Sequence, residues 1–276
     1  MKKILVSFIL ISMLAGCVAN EMYAETTTTI SPPSNKSTTS STAPDITEIN
    51  GNLSTQKVIW GPGRITDHQP PTDPVKLQKE YEKYGAYFLM QNKKTVYLTF
   101  DEGYENGFTP SILDTLKEKK VSAVFFVTFD FAKDNPDLIK RMIDEGHVVG
   151  NHTYRHKTMD EIDTQTATEE VMYLHNFIKE NYNYEMKYFR FPKGEFSENA
   201  LSLVNNLGYK SLFWSFAYAD WDTSNVMNPD DAKEKITSSS HNGEIILLHA
   251  VSKTNAEILG DVIDDFQKQG YKFGKL

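Results

Sequence analysis

The stretch LTFDEGYENG, residues 98–107, places two adjacent carboxylates, Asp101 and Glu102, directly after an apolar run. The residues before them, TVYLTF at 95–100, are rich in β-branched and aromatic side chains, which is typical of a buried strand. Side chains that follow each other along a strand point to opposite faces of the sheet. Asp101 and Glu102 can therefore act at one site only if the strand ends there and the chain turns.

Further apolar segments of this kind alternate with helical patterns along the chain. They are VSAVFFVT (121–128), HVVGNH (147–152), KYFRF (187–191), YKSLFWSFA (209–217) and EIILLH (244–249). Helix start signals stand between them: Thr109 as an N-cap before Pro110, Asn135 before Pro136, and Ser197. A longer helix is predicted over residues 159–181, and a final amphipathic helix follows the last strand. Because strands alternate with helices and no dinucleotide-binding fingerprint occurs, we predict an α/β fold with a parallel (β/α) barrel rather than an open sheet.

Polar side chains stand where several of these strands end. Asp101, His152 and His249 each follow an apolar run, Arg190 lies near the end of another, and Asp220 with Trp221 follows a fifth. In parallel barrels the functional face is the one formed by the carboxyl ends of the strands. These side chains are therefore predicted to meet at one mouth of the barrel.

The segment HTYRH supplies two histidines, His152 and His156, four residues apart. On a helical turn this spacing places both imidazoles on one face, where they can bind one cation. Two histidines with one carboxylate leave positions open for water and substrate, as a catalytic metal requires. We expect a divalent metal, with zinc as the first choice and cobalt, nickel or manganese as alternatives that suit the same ligands.

The N-terminal residues read as a secretion signal. Lys2 and Lys3 precede a short apolar run that ends in LAGC, and Cys17 is the only cysteine in the chain. LAGC after such a leader looks like a bacterial lipobox, which implies a signal peptide over residues 1–16 and a lipid on Cys17. The alternative is an ordinary signal peptide with an incidental cysteine. The lipobox interpretation predicts an extracytoplasmic protein anchored to the bacterial cell membrane.

A Ser/Thr/Pro-rich tether is predicted over residues 17–57, because segments such as TTTTISPPSNKSTTSST (26–42) cannot form a packed core. The remaining residues, 58–276, are predicted to form one domain. The formal net charge is −8 and no cluster of Lys and Arg occurs, so nucleic acid is excluded as a partner. Oligomeric state is not predicted.

The motifs TFDEG, HTYRH, RFPKG, ADW and LLH occur in an order that resembles the polysaccharide deacetylase family, also known as the NodB-homology family or carbohydrate esterase family four. The stretches IWGPGRITDHQPP (59–71), FDEGYENG (100–107) and LLHAVSKTNAEIL (247–259) look like its PdaA-type members. Those members act on N-acetylmuramic acid of peptidoglycan in the pathway to muramic δ-lactam of the spore cortex. The resemblance covers residues 58–276 and implies a distorted barrel of the NodB type.

The resemblance implies a role for each strand-end residue. Asp101 matches the general base, Arg190 the arginine that pairs with that base, His249 the general acid, and Asp220 the acid that orients it. Lys193 matches the position whose backbone N–H stabilises the oxyanion, and Trp221 matches a wall of the substrate pocket. His152 and His156 match the metal histidines.

Glu102 is the departure from the family pattern. It stands where most members have a metal-binding Asp and the PdaA-type members have Asn. The motif placement predicts that Glu102 is the third metal ligand, and the alternative is that its side chain points to solvent. The resemblance implies that the chain is a metal-dependent hydrolase that removes acetyl from N-acetylmuramic acid of peptidoglycan. Two other functions stay open at this point: a deacetylase of N-acetylglucosamine polymers, and a catalytically inactive glycan-binding lipoprotein.

Overall fold

In the computed structural model of the chain, residues 53–63, 65, 67–91 and 93–276 are described. The predicted signal peptide, the lipidation site at Cys17 and most of the predicted tether lie outside these residues. Among the described residues, Ser54 already contacts the domain: its N–H donates to the Glu198 carboxylate at 3.2 Å. The folded part therefore includes residues before the predicted boundary at residue 58. In the part of the chain that is described, no helix has the length and apolar character needed to cross a membrane.

Strands and helices alternate over most of the described chain, as predicted. The strands are β1 (Val58–Ile59), β2 (Ala86–Tyr87), β3 (Thr95–Glu102), β4 (Val124–Val127), β5 (Val148–Asn151), β6 (Tyr188–Phe189), β7 (Glu195–Phe196), β8 (Lys210–Leu212), β9 (Glu244–His249) and β10 (Lys272–Phe273). The helices are α1 (Thr72–Tyr81), α2 (Thr109–Lys119), α3 (Phe129–Asp134), α4 (Pro136–Asp144), α5 (Thr164–Tyr182), α6 (Glu198–Asn206), α7 (Pro229–Ser238) and α8 (Lys253–Lys268).

The main sheet is parallel and curls into the predicted distorted barrel. Strand β3 pairs with β4, β9 and β10, and the sheet continues from β4 through β5, β6 and β8 to β2. A bridge between Phe216 and Ile246 joins the residues after β8 to β9, so the sheet bends back towards its own start. Because these strands are parallel, their carboxyl ends lie at one mouth of the barrel.

Two helices, α4 and α6, begin at the predicted residues. Ser197 caps α6, since its hydroxyl accepts a hydrogen bond from the Ala200 N–H at 3.2 Å, and α4 begins at Pro136 directly after Asn135. Helix α5 is shorter than predicted at its start, because Asp163 caps it by accepting from the Thr166 N–H at 2.8 Å.

The predicted N-cap of α2 is wrong. Thr109 is the first helical residue and Phe108 occupies the N-cap position. The carboxylate of Glu105 accepts a hydrogen bond from the Thr109 N–H at 3.3 Å and another from the Gly107 N–H. Glu105 therefore satisfies backbone donors at the start of α2, which the Thr109 side chain was expected to do.

Candidate active site

Two of the predicted site residues lie side by side at the mouth of the barrel. The register of β3 against β9 pairs Asp101 directly with His249, the last residue of β9. Asp101 is buried, with 7% of its surface exposed. The two strand ends therefore present a carboxylate and an imidazole to the same cavity, which both residues line.

Arg190 holds Asp101 in its ionised form. Its Nη1 donates to Asp101 Oδ1 at 2.8 Å, and the guanidinium is fully buried. Burial is the largest single influence and would raise the pKa of Asp101. The charge of Arg190, the charges of His152 and His249, and the hydrogen bond from Arg190 together outweigh it, so the pKa of Asp101 lies below its usual value. The carboxylate is thus available to accept a proton near neutral pH.

The position of Arg190 is itself fixed by the barrel interior. Its Nε donates to the Leu212 carbonyl at 2.9 Å and its Nη2 to the Phe213 carbonyl at 3.2 Å. The guanidinium carbon lies 4.2 Å from the centroid of the Phe126 ring, a cation–π contact. Because the guanidinium is held by these two carbonyls and by the Phe126 ring, the Asp101 Oδ1 that it binds has little freedom to move.

His152 and His156 come together, although not on a helical turn as predicted. The HTYRH segment is an irregular loop in which Thr153 and His156 have left-handed backbones, with φ of 73° and 56°. The loop is held by side chains: Asn151 accepts from the Thr153 N–H at 2.8 Å, and Glu170 of α5 accepts from the Arg155 N–H at 2.7 Å. These contacts place the two Nε2 atoms 3.2 Å apart.

The two imidazoles fit a divalent cation. His152 Nδ1 lies 2.9 Å from the Arg190 carbonyl oxygen, which can only accept, so Nδ1 carries the proton and the Nε2 lone pair faces His156. Burial lowers the pKa of both histidines, that of His156 to about 4, which keeps them neutral and able to ligate. Two ligand nitrogens on one tetrahedral ion lie about 3.4 Å apart, close to the observed separation.

Among the described residues, no group of three His, Cys, Asp or Glu side chains is arranged so that it could hold a metal ion. The carboxylate nearest to the pair is that of Asp101, whose Oδ2 lies 3.6 Å from His152 Nε2. The two imidazoles are therefore the preformed part of the predicted metal site.

The predicted role of Glu102 does not agree with its position. Strand β3 does not end at Asp101, because Glu102 still pairs with Val127 of β4. The alternation of side chains along the strand then turns Glu102 to the face opposite Asp101, away from the cavity with the histidines. It does not point to solvent either: it is 0% exposed, neither carboxylate oxygen has a hydrogen-bond partner, and Glu105 lies nearby.

Glu102→Gln is expected to flatten the pH dependence of stability. Burial, and then the charge of Glu105, raise the pKa of Glu102 well above its usual value of 4.5. The folded chain then keeps a proton that the unfolded chain releases, so the stabilisation is complete below pH 4.5 and is lost as the pH rises through the folded-state pKa. The neutral amide has no proton to lose, and urea denaturation over a series of pH values measures the difference.

The matched control for this change is Glu118→Gln, a surface glutamate of α2. As a change at an exposed position, it should alter the unfolding free energy by at most about 0.5 kcal/mol. In the same preparations, the affinity of Glu102→Gln for zinc should equal that of the parent chain, and a weaker affinity would contradict the placement of Glu102 away from the imidazoles.

His249 is oriented by Asp220. Its Nδ1 lies 2.7 Å from Asp220 Oδ1, and its backbone N–H donates to Oδ2 at 2.7 Å. Asn255 of α8 donates to the same Oδ2 at 2.6 Å and fixes the carboxylate from behind. Burial is the largest single influence and would lower the pKa of His249. The hydrogen bond and charge of Asp220, together with the charge of Asp101, outweigh it, so the pKa is raised. His249 is therefore suited to donate a proton from Nε2.

A cavity of about 670 Å³ joins these residues at the barrel mouth. The predicted residues Lys193 and Trp221 line it, and the Trp221 ring lies 5.8 Å from that of His249. The cavity is also lined by residues that were not predicted from the sequence, among them Trp60, Gly61, Tyr104 and Trp214. Trp60 and Tyr104 stand in the stretches 59–71 and 100–107 that carry the resemblance, but their positions beside the cavity follow only from tertiary contacts.

Both the sequence and the structure of the chain are similar to those of known proteins. A family model for polysaccharide deacetylase matches residues 90–212. The chain is 45% identical over 228 residues to the peptidoglycan-N-acetylmuramic acid deacetylase PdaA of Bacillus subtilis (strain 168), covering 80% of this chain and 85% of that protein. It is 31% identical over 200 residues to a peptidoglycan-N-acetylglucosamine deacetylase of Bacillus cereus, covering 71% and 72%. The solved structure of Bacillus subtilis PdaA, a family 4 carbohydrate esterase, matches with a TM-score of 0.77 at 42% identity, covering 80% of this chain and 95% of that one.

Proposed function

The chain belongs to the polysaccharide deacetylase family, a family of amide-bond hydrolases, and we propose that it removes the acetyl group from N-acetylmuramic acid of peptidoglycan. Similarity to PdaA supports peptidoglycan as the substrate. The observation that carries the proposal is the pairing of Asp101 with His249 on adjacent strand ends, beside the two histidines.

Amide hydrolysis needs both a base and an acid. Water must lose a proton as it attacks the carbonyl, and the amine must gain one because it is otherwise a very poor leaving group. Asp101, held ionised by Arg190, accepts the first proton. His249, whose protonated form is stabilised by Asp220, delivers the second to the departing nitrogen. The backbone N–H of Lys193 is assigned to the oxyanion that forms between these steps.

We propose a divalent cation at His152 and His156, with zinc as the first choice. Their neutral Nε2 atoms suit zinc, and they equally accept cobalt, nickel or manganese. When bound, the cation supplies Lewis acidity toward the amide carbonyl and the attacking water. Asp101, His249 and the Lys193 loop carry out the proton transfers and the positioning around it.

The second candidate function is deacetylation of N-acetylglucosamine. It is favoured by the 31% identity to the peptidoglycan-N-acetylglucosamine deacetylase of Bacillus cereus. The higher identity to an N-acetylmuramic acid deacetylase, 45%, is the reason for preferring the muramic acid. An inactive glycan-binding role is opposed by the intact pairs of Asp101 with Arg190 and of His249 with Asp220.

The test uses the purified folded domain with two substrates in parallel: glycan strands of peptidoglycan stripped of peptides, and a chitooligosaccharide. Mass spectrometry of the products should show acetyl loss from muramic acid and little from glucosamine. Acetyl loss only from glucosamine would establish the second function, and absence of acetyl loss from both substrates in the zinc-loaded enzyme would overturn both.

We also propose that the enzyme works outside the cytoplasm, held at the membrane by a lipid on Cys17. Lys2, Lys3 and the LAGC sequence support this. Deacetylation frees an amine beside the lactyl carboxyl of the same sugar, which is the pair that a δ-lactam joins, so a role in the spore cortex is part of the proposal. Detergent partitioning of the parent and of Cys17→Ser tests the anchor, and analysis of δ-lactam in a deletion strain tests the role.

A further inference from the structure

The first strand of the described chain reaches the active-site cavity. Trp60 follows β1 and lies before residues 90–212, the part that the family model matches. It lines the same cavity as Trp214 and Trp221, so all three tryptophans of the chain are at this one site. Trp60 is 5% exposed whereas Trp221 is 57% exposed. Trp60 is thus mainly a packed residue beside the cavity rather than an open sugar platform.

Trp60 is bound to the loop that carries Lys193. Its backbone N–H donates to the Gly194 carbonyl at 3.0 Å, and its Nε1 donates to the Trp214 carbonyl at 3.1 Å. Its ring lies edge-on to Phe88 at 4.8 Å between centroids. The ring orientation is therefore fixed at both ends, by a hydrogen bond and by packing.

Lys193 and Gly194 have backbones that need such support. Both are left-handed, with φ of 58° and 71°. A Cβ on Gly194 would lie 2.7 Å from the Trp214 ring and 3.2 Å from Trp60 Cβ, so the two tryptophans pack directly on the Gly194 backbone. A left-handed conformation is costly for Lys193 and persists only when its surroundings hold it. Trp60 and Trp214 supply this support on one side of the loop.

Strand β1 and the residue before it contact two segments of the active site, the Lys193 loop with its following strand and the loop after His156. It pairs antiparallel with β7, the strand that follows the Lys193 loop. Lys57, directly before β1, forms ion pairs with Glu195 of β7 at 3.1 Å and with Asp160 and Glu161 of the loop that follows His156. The segment 57–60 therefore ties the Lys193 loop to the segment that follows the metal histidines.

We propose that Trp60 is a positioning residue for the deacetylation step: it holds the Lys193 loop so that its backbone N–H faces the developing oxyanion, and Lys57 secures the strand that carries it. The proposal rests on the function proposed above. Oxyanion donors act in the transition state far more than in the bound substrate, so their misplacement lowers kcat and leaves KM nearly unchanged.

The test compares Trp60→Ala, Trp60→Phe and Lys57→Ala in the zinc-loaded full chain, with peptide-stripped glycan strands as substrate. Trp60→Ala should lower kcat by about 100-fold, the loss expected from misplacing a transition-state group by about 1 Å, with KM changed less than about threefold. Trp60→Phe keeps a ring packed against Phe88 and should recover most of the lost kcat. Lys57→Ala should lower kcat in the same direction by a smaller factor.

The matched control is Lys119→Ala, which removes an ion pair of similar exposure between α2 and α8, to Asp264 at 2.8 Å, and should leave kcat and KM unchanged. Because Lys57 lies at the surface, its variant keeps the test valid if Trp60→Ala fails to fold. A folded Trp60→Ala with an unchanged kcat would overturn the proposal. So would an unchanged kcat in Lys57→Ala when Trp60→Ala does not fold, or a rise in KM at constant kcat. An inactive parent enzyme would instead count against the proposed function.

Discussion

Asp101→Asn is expected to lower kcat by about 10²- to 10⁴-fold, the usual contribution of a general base. The amide cannot accept the proton of the attacking water, although it keeps the size and shape of the carboxylate. KM should change little, because the substrate does not need the charge to bind. Acetate release from peptide-stripped glycan strands, followed over time at saturating substrate, measures the loss.

The same substitution should also destabilise the fold, because it leaves the charge of Arg190 uncompensated in the barrel interior. Arg190 is 0% exposed, and breaking a buried ion pair typically costs about 3–5 kcal/mol. The control is Asp114→Asn, which removes a pair with Arg141 at the surface and should cost at most about 1 kcal/mol. Equal destabilisation of the two variants in urea, or an active Asp101→Asn enzyme, would contradict the role assigned to Asp101.

Asp220→Asn is expected to reduce kcat by about 10²- to 10⁴-fold and to move the alkaline limb of the pH profile to lower pH. His249 must be protonated to serve as the acid, so the parent loses activity as the pH rises through the raised pKa of His249. Without the Asp220 charge, burial dominates and lowers that pKa, and the protonated form is lost at a lower pH. The measurement is kcat against pH for both proteins.

Asp222→Asn is the control for this prediction. Asp222 is an exposed neighbour that bonds to Ser224 and makes no contact with His249 among the described hydrogen bonds. Its variant should keep the parent profile. A pH profile for Asp220→Asn that is lower but not displaced would mean that Asp220 orients His249 without setting its pKa.

Much of the fold could be predicted from local patterns. Segments such as TVYLTF and EIILLH are continuous apolar runs, because strands of a covered parallel sheet are buried on both faces. Helix starts at Pro136 and Ser197 agree with local start signals. Helices α1, α3 and α7 were not predicted, because short or polar helices are formed by packing against the sheet more than by their own pattern.

The site was predictable as a set of residues but not as a geometry. His152 and His156 were expected on a helical turn, and they instead meet through a loop held by Asn151 and Glu170. Those two side chains supply the partners for backbone groups that a helix would have satisfied internally. The four-residue spacing therefore identified the correct pair of histidines, but the pair is brought together by the loop and not by a helical turn.

Glu102 shows where motif placement was insufficient. Alternation along a strand already required a turn at Asp101 if both acids were to share a site. Whether the strand ends there depends on pairing with β4, which extends to Glu102 and Val127. Such pairing is a long-range contact, so no local feature of residues 98–107 could decide it.

By itself, the sequence determined which side chains stand at the ends of apolar strands, because the run of buried residues and the turn after it are encoded locally. From this came the parallel barrel and a common mouth for Asp101, His152, Arg190 and His249. Only the tertiary structure decided the face of Glu102, the pairing of Asp101 with His249, and the return of Trp60 to the Lys193 loop. These features depend on strand register and on contacts between segments that are far apart in the chain. The free energy of such contacts depends on both segments, so it cannot be inferred from either one alone.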